Sequence, residues 1–270
     1  VVPVIGARRW LLGALVVGCS RNHGLPPAVE GQRAILDVAL HRPMPPRLQG
    51  KLTVKARSSL LGIAGSTGGA LFLDRPGRGH LAVFGPLGGP VMTAQTDGVG
   101  LAVAVMRDQR HLVAADAAEV VARATGEQLA LDDVLGLLEG QLPFAEADID
   151  DALRRDDGDL ELTVRGVRGT RARVVLDDAT GTPVSLAVSD RRDTLLFSAD
   201  YAPFEPFGTD GALLPTAVTL TIPALDLVLE LKARSWSVPE QLPDVFGLAP
   251  PDGFTSGPLE ELLPAPVGAP

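Results

Sequence analysis

Leu48-Gln49-Gly50-Lys51-Leu52-Thr53-Val54-Lys55-Ala56-Arg57 is the stretch that decides the fold class. Leu52, Val54 and Ala56 alternate with Lys51, Thr53, Lys55 and Arg57. Such a period of two makes a β-strand with one dry face and one wet face. Purely parallel sheets show strands that are apolar throughout and joined by helices, so this stretch predicts an antiparallel sheet. Forward along the chain, the same reading gives strands over 70–75, 80–85, 91–96 and 100–106, separated by Gly, Pro or Asp. Further strands follow at 160–164, 172–176, 184–188 and 194–199, with Asp178-Ala179-Thr180-Gly181 as a turn between the middle pair. Alternation is clear again at 218–222 and 227–234.

Helical signals interrupt this pattern. Residues 28–41 carry Val29, Ile35, Leu36, Ala39 and Leu40 at amphipathic spacing and end at Arg42-Pro43-Met44-Pro45-Pro46, which forces extended backbone. Asp116-Ala117-Ala118-Glu119 has the form of a capping box ahead of Val120, Val121 and Ala124, with Gly126 as terminator. Asp132 is the expected cap of another short helix bearing Val134, Leu135, Leu137 and Leu138. An acidic linker over 146–159 joins the two runs of strands. Eight prolines follow Ser237 in the last 32 residues, too many for a sheet or a long helix. The expectation is therefore a mainly β chain with helices: an open, unclosed antiparallel β-barrel of about 11 strands with a short helical lid, over 28–237, followed by a Pro-rich tail over 238–270.

The N-terminus carries an address. Arg8 and Arg9 precede an apolar run from Trp10 to Val17, which ends at Gly18-Cys19. The run is shorter than the roughly 20 residues of a membrane span. A charged segment, a short apolar core and a small residue before cysteine make a lipoprotein signal peptide over 1–18, with lipidation at Cys19 and a tether over 19–27. By analogy with enterobacterial lipoproteins, in which Asp after the cysteine marks inner-membrane retention, Ser20 points toward outer-membrane sorting, and Arg8-Arg9 leaves twin-arginine export open beside the general secretory route. Cys19 is the single cysteine, so an internal disulfide is excluded.

Chemistry is excluded more than it is suggested. A formal net charge of −9 gives no electrostatic ground for nucleic acid. Aromatics make up 4% of the chain, so any core or cavity is built from Leu, Val, Ala and Ile. Glycines 62, 65, 68 and 69 lack the lysine of a phosphate loop and predict a flexible Gly/Ser insert over 60–69. Gly65-Ser66-Thr67-Gly68 is not a nucleophile elbow. His23, His41, His80 and His111 are scattered, and Asp148, Asp150, Asp151, Asp156, Asp157 and Asp159 lack calcium-loop spacing. No catalytic residue, metal site or cofactor is expected. The strands instead offer Leu52, Val54, Leu71, Leu73, Leu81, Val83, Leu101, Val103, Leu220 and Leu229 on one face, with Val120, Val121, Leu135 and Leu138 on the helices. These line an apolar cavity or fill a plain core, since both need the same period.

Several segments resemble the lipoprotein-localisation family LolA/LolB, its outer-membrane LolB branch in particular. Leu48 to Lys55 is similar to the family's first strand, and Phe84-Gly85-Pro86-Leu87-Gly88-Gly89 to its protruding hairpin. Arg110-His111 with Ala114 to Glu119 resembles a further family segment, Thr125-Gly126 followed by Leu131 and Leu138 to Pro143 its helix pair, and Leu214-Pro215, the Thr219 strand and Leu229 to Trp236 its closing strands. The likeness runs collinearly over about 47–237. It implies an outer-membrane lipoprotein, lipid-anchored on the periplasmic face and monomeric. Such a protein takes acylated lipoproteins from a periplasmic LolA-like carrier and inserts them into the membrane. Leu87, flanked by Pro86 and Gly88, then maps to the membrane-insertion loop. The chain departs from the family in its few aromatics, the 60–69 insert and the tail. An envelope structural or interaction lipoprotein, or a carrier of free lipid, on the same barrel is the alternative.

Overall fold

A computed structural model describes residues 27–59, 63–126, 129–144, 148–165, 170–208 and 211–259. The signal peptide, Cys19 and the tether up to residue 26 lie outside the described residues. Helix α1 (Pro27–Leu40) leads into a meander of β1 (Arg47–Ser58), β2 (Ile63–Asp74), β3 (Arg78–Phe84), β4 (Pro90–Asp97), β5 (Leu101–Val105) and β6 (Arg110–Ala114). Helices α2 (Ala117–Ala124) and α3 (Leu131–Leu138) follow. The chain returns through β7 (Asp148–Arg154), β8 (Leu160–Arg165), β9 (Arg171–Leu176), β10 (Pro183–Ser189) and β11 (Leu195–Tyr201). A hairpin of β12 (Phe204–Phe207) and β13 (Ala212–Pro215), then β14 (Ala217–Ile222), β15 (Leu227–Ser237) and β16 (Thr255–Pro258) complete it.

Among the described residues 14 of these strands form one open sheet in the order β16-β6-β5-β4-β3-β2-β1-β15-β14-β11-β10-β9-β8-β7, and β12 pairs with β13 apart from it. The sheet is antiparallel except at β16, which runs parallel to β6. Pairing of β1 with β15 joins the two runs of strands side by side, so the first and last thirds of the chain share the middle of the sheet.

The open, mainly β architecture is as expected, but the described residues form 16 strands rather than about 11. The five additional strands are β6, β7, β12, β13 and β16. Strand β6 follows a tight turn with no Gly or Pro to announce it; Gln109 supplies the left-handed conformation at φ 49°. Strand β7 takes the place of part of the acidic linker expected over 146–159: its charges face water, while Ile149 and Ala152 pack against the core. Its carboxylates and the register irregularity between Ile149 and Asp151 suit an unprotected sheet edge. Prolines masked β12, β13 and β16; in a strand end or an edge strand the missing N–H costs no ladder bond.

The insert expected over 60–69 is also corrected. Residues 63–69 belong to β2 and pair with β1. Gly69 is there for space: a Cβ would lie 2.5 Å from Cγ2 of Val54 and 2.8 Å from the carbonyl oxygen of Ala82.

Candidate functional site

Register places a row of small and aliphatic side chains across each half of the sheet, both on the same face. Leu162 stands opposite Val174, Val174 opposite Leu186, and Leu186 opposite Ala199. Ala199 then faces Leu220, Leu220 faces Leu229, and Leu229 faces Ala56. In the other half Leu71, Leu81, Ala94, Val103 and Leu112 make the corresponding row. All ten strand residues proposed for a cavity fall on this inner face. Leu52, Val54, Leu71, Leu73, Val83 and Leu220 are buried in one hydrophobic core, together with Val121 and Leu138 of the helices; Leu81, Leu135 and Leu229 pack against it. Val120 joins a smaller cluster with Leu112, Ala114 and Leu259, against which Leu101 and Val103 pack.

The helices close this face. Asp116 caps α2 by accepting from the N–H groups of Ala118 and Glu119, as its sequence predicts. The expected cap of α3 is corrected: Asp132 lies inside the first turn, Ala130 is the cap residue, and the Asp133 carboxylate accepts from the Ala130 N–H at 2.7 Å. Helix α2 buries Ala117, Val120, Val121 and Ala124, and α3 buries Gly136, Leu137 and Leu138. Leu135 lies on Gly79 of the sheet so closely that a Cβ there would come within 2.9 Å of its Cδ2.

Past the end of α3 stands a buried polar cluster that no sequence pattern indicates. The Glu139 side chain is 0% exposed and pairs with the guanidinium of Arg75, which also donates to Oε1 of Gln141 at 2.9 Å. Arg42 donates to the Glu139 carbonyl oxygen at 2.9 Å and stacks on the Phe204 ring at 4.6 Å. Four separate segments therefore converge on the C-terminal end of the lid. Gly140 completes the turn at φ 77°, and the Phe204 ring, 2.5 Å from where its Cβ would be, admits no side chain.

Burial governs the titration of this cluster. It pushes the Glu139 carboxyl up, against the opposing pull of Arg75 and Arg42. Burial lowers the Arg42 guanidinium to about 10, with Tyr201 and Glu139 opposing, and raises the Tyr201 hydroxyl. Oε1 of Glu139, Nε and Nη1 of Arg42 and the Tyr201 hydroxyl are buried without a hydrogen-bond partner among the described residues. The cluster thus sits at a cost that apolar packing around it must offset.

On the sheet's rim, the hairpin between β3 and β4 presents Leu87 fully to solvent, with 102% relative exposure. Pro86 and Gly88 beside it are also exposed. The tip is closed by the Gly85 N–H donating to the Gly89 carbonyl at 2.7 Å and the Gly88 N–H donating to the Gly85 carbonyl at 3.0 Å. Leu87 therefore contributes nothing to the core.

No protein-family profile matches the chain, and no curated protein matches it in sequence. Solved structures match it in fold. A LolA superfamily protein from Nitrosomonas europaea aligns with a TM-score of 0.50 and 13% identity, over 80% of this chain and 96% of that one. A DUF1329 family protein from Desulfovibrio piger gives 0.54 at 11% identity, over 79% and 95%. A domain described as an outer membrane lipoprotein-sorting protein from Vibrio parahaemolyticus gives 0.52 at 12% identity, over 80% and 94%. At these identities the likeness is one of architecture: the chain has the open-sheet, helix-covered fold found in the LolA superfamily.

Proposed function

We propose that this protein is an envelope lipoprotein, anchored through Cys19 in the outer membrane, that receives the acyl chains of other lipoproteins beneath α2 and α3 and passes them into the membrane. The observation that carries this reading is the composition of the inner face. Uninterrupted aliphatic rows run across both halves of the sheet, and short amphipathic helices cover them, α1 and the β12–β13 hairpin adding Leu36, Ala39 and Leu214 to the same core that α2 and α3 enter.

Acyl burial contributes about 0.8 kcal/mol per CH₂, so one long acyl chain brings on the order of 10 kcal/mol. The apolar faces of two such helices bury a handful of aliphatic side chains at roughly 2 kcal/mol each. The two quantities are comparable, so a cargo chain can take the place of the lid without an external energy source. In this conformation the lid is closed. Leu87 is the residue proposed to enter the membrane, since a fully exposed leucine on a tight hairpin can be buried in lipid with little rearrangement. A periplasmic LolA-like carrier is the proposed donor, and the monomer the proposed working state.

A second reading rests on a specific observation too. Leu52, Val54, Leu71 and Leu73 are packed at 2% exposure or less. That is also what a solid interior requires, and it would make the protein an interaction lipoprotein that works through its surface.

Native mass spectrometry of the protein purified from its own envelope separates the two. Acyl-bearing species bound one to one are expected. A ligand-free protein, together with unchanged sorting of other lipoproteins on its depletion, would leave only the second reading.

A further inference from the structure

Beyond β15 the chain does not leave the fold. Residues 239–259 cross the outer face of β3 to β6, opposite the lid. Phe246 is buried beneath the Arg78 guanidinium, which lies 4.8 Å from its ring centroid. Gln95 donates to the Gly247 carbonyl. Leu248 sits on Gly100, where a Cβ would be 2.5 Å from its Cδ1. The Thr255 N–H donates to the Gln109 carbonyl at 2.8 Å, and β16 then pairs in parallel with β6.

The outer face here is made for this contact. Ala82, Ala102 and Ala104 are buried on it, although the same face of neighbouring β1 carries Lys51, Lys55 and Arg57. After Pro258 the chain turns over the edge of the sheet, and Leu259 enters the inner side, in the buried cluster of Leu112, Ala114 and Val120 of α2. The segment also braces the other support of α2. The Ala117 N–H donates to the Val99 carbonyl at 2.8 Å, and Leu248 rests on the next residue, Gly100.

We infer that residues 239–259 form a strap that holds lid helix α2 shut from outside the sheet, gripping both the turn that carries its N-terminus and the apolar cluster that takes Val120. Most of the strap is exposed, and its hold is concentrated in Phe246, Leu248, Leu259 and four strand residues. Such a segment is released at lower free energy than the sheet it crosses. Release uncovers the β6 edge and withdraws Leu259 from beside α2, which turns the strap into a brake on lid opening. The consequence for cargo rests on the acyl-binding reading; the restraint on α2 does not.

Hydrogen exchange on the full chain tests it. Thr255→Pro removes the N–H that starts β16 at an exposed edge position, and Leu259→Asp removes the apolar plug. Exchange in 117–124 is expected to accelerate about tenfold in both variants, with 160–176 unchanged. Wild-type exchange of 117–124 in the Thr255→Pro protein, with its circular dichroism intact, would overturn the strap. Binding of a fluorescent palmitate-length fatty acid, measured in parallel, is expected to strengthen in both variants. Accelerated exchange with no binding of the probe in any variant would keep the strap and remove the acyl-cargo reading.

Discussion

Glu139 sits where a carboxylate is costly, wholly buried at the end of α3, and its partner Arg75 lies 64 residues away in sequence. Replacing one member of a buried pair leaves the other charge uncompensated. Here Arg75 reaches solvent in part, but Arg42 does not. Glu139→Ala is therefore expected to destabilise the fold by about 3 kcal/mol, measured by urea unfolding, and Arg75→Ala by less. Leu87 is the opposite case, since it is fully exposed and buries nothing. Leu87→Glu is expected to leave the urea midpoint unchanged while weakening association with phosphatidylethanolamine/phosphatidylglycerol vesicles at least about tenfold, the value of burying one leucine in lipid. Equal vesicle binding would remove Leu87 from any membrane role. The two residues differ in legibility for the same reason. A hairpin tip is announced by its neighbours Pro86, Gly88 and Gly89, whereas the cluster of Arg42, Arg75, Glu139 and Tyr201 is assembled from segments that share no local pattern.

At the scale of elements, the strap brings two histidines under cover. His80 lies on the outer face against Val245 and opposite Gln95, with Arg78 and its register partner Asp97 two residues along the same strands and Asp244 next to Val245 in the strap; His111 stands opposite Ser256 of β16. Desolvation pushes both imidazoles below their ordinary value of 6.5, against weaker opposing hydrogen bonds from Val245 and Gln95 at His80. The unfolded chain then takes up protons at higher pH than the folded chain. The contribution to stability is complete above 6.5 and is lost as pH falls through that value toward the lower folded ones. Thermal unfolding midpoints are expected to fall between about pH 7 and pH 5, and the fall to be shallower in His80→Gln and His111→Gln proteins. An identical slope in wild type and both variants would show that these rings do not titrate on unfolding. A sequence signal for the covered face does exist. Leu101-Ala102-Val103-Ala104-Val105 has no polar side, the mark of a strand buried on both faces. Such a strand calls for a cover but does not specify which segment supplies it.

Across the whole molecule, the pairing of β1 with β15 and of β14 with β11 carries one apolar row from β1 to β8. Both halves of the sheet therefore contribute to a single core. Leu220 lies in that row, 6% exposed. Leu220→Ala is expected to cost roughly 2–5 kcal/mol in one cooperative urea transition followed by the fluorescence of Trp236, which packs against that core. Two separated transitions would mean that the halves fold independently.

What the sequence determined by itself is whatever depends on a few consecutive residues. Period-two alternation set the strands and their inner face, Asp116 set the start of α2, and Pro86 to Gly89 set an exposed tip. What only the tertiary structure decided depends on which distant segments meet. The β1–β15 seam, the Arg75–Glu139 pair, the use of residues 63–69 as strand instead of loop, and the return of the proline-rich C-terminal segment to the β6 edge all belong here. Backbone periodicity is a local property, whereas the partner of a buried charge or of a sheet edge is chosen by the fold as a whole.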